Sequence, residues 1–276
     1  VEPAREAIRK VFMEKIIYAK GLTKASRLIH GIFMPTPAAV LRAGQLLSKG
    51  TATRKGWGDL VIVDVGGATT DVHSLGDGMP TKAGVVVRGL PEPFAKRTVE
   101  GDLGVRVSVV SLTEAVTLRG MAEATGWSEE RVEARVRLLN DQPETLPRDS
   151  EEVFFDQVLG YQAVRLGVGR HVGLLSELYT PSGLVWIQDG KDLSKVSRVI
   201  GTGGVLINSE DPLSMLEGAQ SSEVSSLELR PEDPDYFLDG DYILAAMGLL
   251  AQENPDVALT VLQNSLSEHE LSRRDM

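Results

Sequence analysis

Apolar and polar positions alternate along the chain with two different periods, and these periods predict the order of its elements. Residues 1–20 predict a helix, because apolar side chains recur there at close to helical spacing: Ile8, Val11, Phe12, Ile16 and Ile17. A second helix is predicted to begin at Thr36, a favourable N-cap followed by Pro37, and to stop at Gly50.

Short β-rich runs separated by glycines follow the second helix. Residues 60–63 predict a strand that ends at Asp64, residues 72–75 predict a second strand and residues 85–87 a third. The glycine-rich stretch from Asp64 to Asp71 therefore joins two strands as a hairpin. Walker and dinucleotide loops lead from a strand into a helix, so this stretch indicates a different phosphate-binding fold.

Residues from about 104 to 190 are predicted to be mostly helical. Helix starts are indicated by the capping-box pattern at 111–114 and by Ser128 with two acidic residues behind it. Asp149 is predicted to start a long helix that reaches roughly Leu178. Beyond this segment, a strand is predicted at 196–200 and a helix from about Asp241 through Ala251.

Composition and charge narrow the class of function. The 276 residues are 42% hydrophobic and carry a formal charge of -10 without a segregated basic stripe, so a nucleic-acid partner is not expected. The chain has no cysteine, which excludes disulfides, zinc–thiolate sites and iron–sulfur clusters and favours a reducing, cytoplasmic location. No apolar run approaches the roughly 18 residues that span a bilayer, and no membrane is expected. The sequence opens on Val1 in a helical pattern, and we interpret it as part of a longer protein.

The stretch D-V-G-G-A-T-T-D carries the strongest candidate chemistry. A glycine hairpin can turn consecutive N–H groups onto one anion, and glycine permits the close approach and positive φ that such a nest uses. The residues predicted to bind phosphate are Gly66, Gly67, Ala68 and Thr69. Asp64 suits a water-mediated Mg²⁺ contact, and Asp71 can polarise an attacking water or hold a second metal-bound water. The alternative is a tight hairpin whose aspartates only cap turns.

A second glycine loop follows the strand at 196–200. Its backbone can lie against the flat face of a nucleoside, and the residues concerned are Gly201, Thr202, Gly203 and Gly204. A lone G-T-G-G is equally typical of a plain strand-to-helix turn. The order of the two loops, with a helical insertion between them, is the more informative feature.

That order resembles the actin-like superfamily of sugar kinases, heat-shock chaperones and actin. Residues 61–71 resemble its second phosphate motif, 199–208 its adenosine motif, and 36–49 and 241–250 its two interdomain connecting helices. Its first phosphate motif, D-x-G-x-T, is absent, and Ala68 departs from the third glycine of the heat-shock chaperones.

The resemblance implies an α/β, ribonuclease H-like fold in which helices flank a mixed sheet. We expect a discontinuous nucleotide-binding lobe of residues 1–103 and 195–276, with an inserted, mostly helical subdomain at 104–194. It also implies ATP or ADP with Mg²⁺ as cofactors. Superfamily members place basic residues over the adenine late in the long helix, which here indicates Arg170 and His171. A solvated basic face is the alternative there.

Four segments resemble the MutL/GlmL family of accessory proteins to adenosylcobalamin-dependent glutamate mutase: M-P-T-P-A-A-V-L (34–41), G-D-L-V-I-V-D-V-G-G-A-T-T-D-V-H-S (58–74), E-G-D-L-G-V-R (100–106) and I-G-T-G-G-V-L (200–206). The family shares its name with an unrelated mismatch-repair ATPase. The resemblance implies an ATP-dependent reactivating factor that expels damaged cobalamin from a mutase. ATPase activity is expected of the whole protein and not of this chain alone.

Two other functions stay open at this point. An enzyme of the same fold, a small-molecule kinase or a hydantoinase-type subunit, would need a substrate beside the nucleotide. A non-catalytic interaction module would have lost nucleotide binding, against which the joint retention of both aspartates and the glycines argues. The pattern does not decide whether Arg88 and Arg97 face phosphate or solvent.

Overall fold

The computed structural model describes residues 34–181, 183–221 and 227–271, together with Ala7 and Val11. Nearly all of these belong to the second of two compact units, residues 37–276. Ala7 and Val11 are helical, and the rest of the helix predicted for residues 1–20 lies outside the described residues.

The described chain is built from runs of consecutive strands and runs of consecutive helices. The helices are α1 (Thr36–Lys49), α2 (Val109–Val116), α3 (Leu118–Thr125), α4 (Glu129–Asp141), α5 (Ser150–His171), α6 (Gly204–Ile207), α7 (Pro212–Leu216), α8 (Leu244–Leu250) and α9 (Pro255–Glu268), with a 3₁₀ turn at Glu217–Ala219. The strands are β1 (Leu60–Val65), β2 (Thr70–Leu75), β3 (Val85–Arg88), β4 (Ala95–Glu100), β5 (Leu174–Thr180), β6 (Gly183–Asp189), β7 (Arg198–Thr202), β8 (Asp235–Leu238) and β9 (Glu270–Leu271). None of the helices described is long and apolar enough to cross a membrane.

A six-stranded mixed sheet with the order β4-β2-β1-β7-β8-β9 organises the unit. Strand β1 pairs antiparallel with β2 and parallel with β7, and β7 continues parallel to β8. The strand that precedes the first glycine loop therefore lies beside the strand that precedes the second, although more than a hundred residues separate them.

Both faces of this sheet are covered by helices, which explains the unbroken apolar run of β1. Val61 and Val63 face a core that includes Leu159 of α5, while Leu60 and Ile62 face a second core with α1 and α9. A mixed sheet flanked by helices confirms the α/β class expected of an actin-like lobe.

A second, three-stranded sheet with the order β3-β6-β5 departs from the predicted helical segment. The predicted long helix ends at His171 and not near Leu178, and residues 174–189 form a hairpin. The helix ends where Val172 takes an extended conformation, and Gly173 then packs so closely that a Cβ there would lie 2.7 Å from the Lys191 carbonyl oxygen. The strand predicted at 85–87 is present, but it pairs with β6.

Three helix starts test the capping signals in the sequence. Ser128 and Asp149 cap α4 and α5 by accepting the N–H groups of Arg131 and Glu152, as predicted. The helix start predicted from the capping-box pattern at 111–114 is wrong, since α2 already begins at Val109. Helix α1 confirms the prediction from Thr36, and α8 lies within the range predicted from Asp241.

The division into a discontinuous lobe and an insertion at 104–194 stays a prediction. The pairing of β1 with β7 brings the two parts of the expected lobe together. Helix α5, from the expected insertion, packs directly on the same sheet, where Gly167 approaches Thr70 of β2.

Candidate functional site

The two aspartates of the glycine hairpin face each other across the sheet. Asp64, near the end of β1, is the register partner of Asp71, near the start of β2. Cross-strand partners have Cβ atoms about 5 Å apart on the same face. Asp71 is 7% exposed and Asp64 is half-buried. The alternation of the strands thus places two carboxylates on one side of the loop that joins them.

The loop between the aspartates offers free backbone donors. Gly66 donates its N–H to the Thr69 carbonyl, which closes the turn. No described residue accepts the N–H groups of Gly67, Ala68 or Thr69. Three consecutive free N–H groups are the arrangement that binds a phosphate in a backbone nest.

The conformation of this loop differs from the expected one in one respect. Gly66, Gly67 and Ala68 all keep φ outside the left-handed region. Positive φ is therefore not the reason for glycine here, and Ala68 fits in place of a third glycine without backbone strain. At Gly66 the closeness of the Thr69 carbonyl, 3.0 Å from an added Cβ, favours the small residue.

The segment E-G-D-L-G-V-R (100–106), with Val107 directly after it, holds the loop through hydrogen bonds to its carbonyl oxygens. Arg106 and Val107 donate their N–H groups to the Gly67 carbonyl over 2.9 and 2.7 Å. Gly104 packs so closely that its Cβ would lie 2.3 Å from the carbonyl carbon of Ala68. These contacts occupy loop carbonyl oxygens and leave the loop N–H groups for a ligand.

The second glycine loop meets the first at the same edge of the sheet. Thr202 is the register partner of Asp64, and Gly203 follows with φ +101°. A Cβ on Gly203 would lie 2.3 Å from the Val65 carbonyl oxygen. Gly203 therefore has two reasons to be glycine, its positive φ and the lack of room for a side chain. Gly204, the first residue of the short helix α6, has no atom within 4 Å of an added Cβ.

A third carboxylate, Asp239, lies beside this pair and was missed by sequence reasoning. Its Oδ2 accepts from Thr202 Oγ1 over 2.9 Å, and its Oδ1 accepts from the Ile243 N–H over 2.9 Å. Asp239 is 1% exposed and links the second loop to the start of α8. The pattern D-G-D-Y-I-L after a strand is a capping signal that could have revealed it.

The other two carboxylates of the site act on Asp64. Burial, then Asp71, then Asp239 raise the pKa of Asp64 to about 6, while Arg97 opposes the shift. No described residue donates a hydrogen bond to the Asp64 carboxylate. An ionised Asp64 in this position has no hydrogen-bond donor among the described residues, and a metal ion or its bound water would supply that partner.

A cavity of about 630 Å³ opens beside the two loops. Gly67 lines it from the phosphate loop, and Gly204 with Val205 line it from the second loop. Val153, Asp156 and Gln157, from the first turns of α5, form part of another wall. The volume suits a small-molecule ligand of nucleoside size.

An ion pair that the sequence did not indicate lies in the wall of this cavity. Arg106 Nη2 donates to Asp156 Oδ2 over 2.6 Å, and both side chains are mostly buried. Burial raises the pKa of Asp156, and the Arg106 charge opposes that rise. The two residues are fifty positions apart in the sequence, so no local pattern could pair them.

Arg170 and His171 lie at the other end of α5 from the residues that line the cavity. His171 is fully buried, with Ser74 Oγ 2.8 Å from Nε2 and Thr98 Oγ1 2.9 Å from Nδ1. Arg170 bonds Asp102 through both of its terminal nitrogens, and Nη1 also reaches Glu100. Both side chains have protein partners, and α5 lines the cavity through its first turns instead.

Fold and site together define an α/β protein in which helices flank a mixed sheet and two glycine loops meet at one end of neighbouring strands, an arrangement consistent with an actin-like lobe. A family described as "MutL protein" matches residues 1–266. The chain is 48% identical over 266 residues to "Protein MutL" of Clostridium tetanomorphum, a match that covers 96% of this chain and 58% of that protein. The chain therefore belongs to the MutL family and spans rather more than half the length of this relative.

Proposed function

We propose that the chain is the nucleotide-binding lobe of an ATP-dependent reactivating factor for an adenosylcobalamin-dependent mutase of the glutamate mutase type. The observation that carries the nucleotide part is the nest of free N–H groups at Gly67, Ala68 and Thr69, which lies between Asp64 and Asp71 and reaches the cavity through Gly67. Phosphates would lie on the nest and the nucleoside in the cavity, between the second glycine loop and the first turns of α5.

The donor set fits Mg²⁺ bound together with a nucleotide. Mg²⁺ takes one or two carboxylates and keeps water and phosphate oxygens as its other ligands. Within the described residues, no group of three or more His, Cys, Asp or Glu side chains is arranged to hold a metal ion. Asp64, which lacks a donor partner, would hold the ion through water, and Mg²⁺ would supply charge neutralisation at the phosphates.

Asp71 is the candidate base for the attacking water. Arg97 engages its Oδ1, and Thr69 Oγ1 lies 3.5 Å from its Oδ2. Arg97 thereby holds one carboxylate oxygen, and the other lies near the hydroxyl of Thr69, the last residue of the nest. Hydrolysis of the terminal phosphate would release a contact that holds two lobes together, so that the chemistry becomes a hinge motion.

The mutase part of the proposal rests on family membership and on the resemblance of the four motif segments. A motion of this kind could open a mutase and let damaged cobalamin leave. The absence of cysteine supports a cytoplasmic location for such a partnership.

A reactivation assay tests the proposal. Glutamate mutase with damaged cobalamin is incubated with ATP, Mg²⁺, fresh adenosylcobalamin and the whole protein. We expect Asp64→Ala to abolish ATP hydrolysis and reactivation together, whereas Asp235→Ala, at an exposed position at the start of β8, retains both. Reactivation by Asp64→Ala at the wild-type rate would show that the protein acts as a passive partner.

A substrate screen separates this function from the enzymatic alternative. Reactivating factors need only water as the phosphoryl acceptor, while a kinase needs a hydroxyl substrate. We expect ATP turnover without any added sugar or hydantoin. Turnover that depends on such a compound would identify a small-molecule kinase or a hydantoinase-type subunit instead.

A further inference from the structure

Arg97 is joined to the candidate base by a cross-strand contact. It lies on β4 opposite His73, one diagonal step from Asp71 on the same face of the sheet. Diagonal neighbours in antiparallel strands lie within reach of long side chains. Arg97 donates from Nε to Asp71 Oδ1 over 2.8 Å, and its Nη2 lies 2.6 Å from the same oxygen.

The surroundings of this contact are rich in negative charge. Asp71 and Asp239 both act on Asp64 as like charges, and Arg97 is the positive group that opposes them. The Arg97 side chain is one-third exposed, while that of Asp71 is one-tenth exposed. A guanidinium stays charged throughout the physiological range, so Arg97 is a permanent cation at the edge of the site.

The charge balance differs for the two ligands that the site is proposed to hold. Three carboxylates attract a divalent cation that binds alone, and a nearby guanidinium repels it. A nucleotide polyphosphate that arrives with one divalent cation keeps a net negative charge, so the carboxylates repel it and the Arg97 guanidinium reduces that repulsion. Metal and phosphate therefore place opposite demands on this one side chain.

We propose that Arg97 is a tethered cation of the phosphate site, which positions Asp71 through Oδ1 and sets the site to prefer a metal–nucleotide complex over a bare metal ion. This inference rests on the proposed nucleotide function. It assigns a positioning and selectivity role to a residue outside both glycine loops.

The proposal predicts effects of opposite sign on two ligands. In the whole protein, Arg97→Gln is expected to tighten the binding of Mn²⁺ alone by about threefold or more and to weaken the binding of ADP with Mg²⁺ by about tenfold, both measured by calorimetry. Arg97→Lys keeps the charge but not the two contacts to Asp71. It is expected to return Mn²⁺ binding towards the wild-type value.

A matched control is Arg88→Gln, which removes an arginine paired with Asp189 across the other sheet. It is expected to leave both affinities unchanged. If Arg97 only connected β4 to β2 and had no role in selectivity, Arg97→Gln would weaken the binding of both ligands together.

The possible outcomes separate the role of Arg97 from the proposed nucleotide function. Opposite shifts in Arg97→Gln, with unchanged Arg88→Gln, support the role of Arg97. Wild-type binding of both ligands with parallel or absent shifts in Arg97→Gln overturns that role and leaves the nucleotide function standing. Failure of the wild-type whole protein to bind ADP with Mg²⁺ overturns the proposed function and the role of Arg97 with it.

Discussion

Gly203 lies against Asp64 so closely that a Cβ on the glycine would be 2.8 Å from Asp64 Oδ1. This contact joins the two glycine loops, because Gly203 follows β7 and Asp64 lies near the end of the neighbouring strand β1. The backbone φ of +101° at Gly203 adds a second reason for glycine.

Replacement of this glycine is the first prediction. Gly203→Ala is expected to cost more than about 3 kcal/mol of unfolding free energy, because strain in φ adds to a collision with the Val65 carbonyl. Gly84→Ala is the control, since Gly84 has φ +79° with open space around it and should cost about 1–2 kcal/mol. Urea unfolding of both variants measures the difference, and equal costs would contradict the close contact.

The crossing of α1 and α8 leads to a second prediction. A Cβ on Gly248 would lie 1.9 Å from the Ala39 carbonyl oxygen, so the two helices touch through their backbones. Alanine normally stabilises a helix by about 1 kcal/mol relative to glycine. Gly248→Ala is expected to reverse that sign and lower the unfolding free energy, and a stabilised variant would refute the contact.

Buried histidines predict a loss of stability in acid. Burial, and secondarily nearby positive charge, lower the pKa of His73 to about 3 and that of His171 to about 2, below the ordinary value near 6.5. Between those values the unfolded chain binds more protons than the folded chain, so stability falls as pH falls below about 6.5. Each histidine contributes a slope of about 1.4 kcal/mol per pH unit there. Urea midpoints measured from pH 7 to 4 check this.

The same two histidines form a matched pair for mutation. Among the described residues, neither ring nitrogen of His73 has a hydrogen-bond partner, whereas His171 bridges Ser74 and Thr98. His73→Leu is expected to cost less than about 1 kcal/mol at pH 7, and His171→Leu to cost about 2 kcal/mol because it removes the hydrogen bonds to Ser74 and Thr98. Both variants should have a shallower pH dependence. Equal losses of unfolding free energy at pH 7 would contradict the conclusion that His171 is hydrogen-bonded and His73 is not.

Sequence reasoning succeeded where the signal is local. The apolar run of β1, the glycine hairpin and the strand before Gly201 are short-range patterns, and the structure has all three elements. The resemblance to the actin-like superfamily assigned both glycine loops to one lobe, and their strands β1 and β7 do pair. The hairpin at 174–189 was missed because its pattern followed a long helix without a strong stop signal, and the close contact of Gly173 is visible only in the fold.

The candidate site could be predicted only in part, for a related reason. Asp64 and Asp71 flank one loop and therefore stand out in the sequence. Asp239 and the pair of Arg106 with Asp156 come to the site through tertiary contacts between distant segments. A single sequence carries no record of such contacts, so the cavity wall and its charges emerged from the structure.

The most direct test of the central claim measures ATP binding by the whole protein in the presence of Mg²⁺. Calorimetry is used to compare the wild type, Asp64→Asn and Asp235→Asn. Asp64→Asn removes the carboxylate proposed to hold the metal and keeps the shape of the side chain, while Asp235 is exposed and is not among the residues lining the cavity. We predict saturable binding by the wild type and Asp235→Asn and at least about tenfold weaker binding by Asp64→Asn. Equal affinity in all three proteins, or no binding by the wild type, would contradict the account.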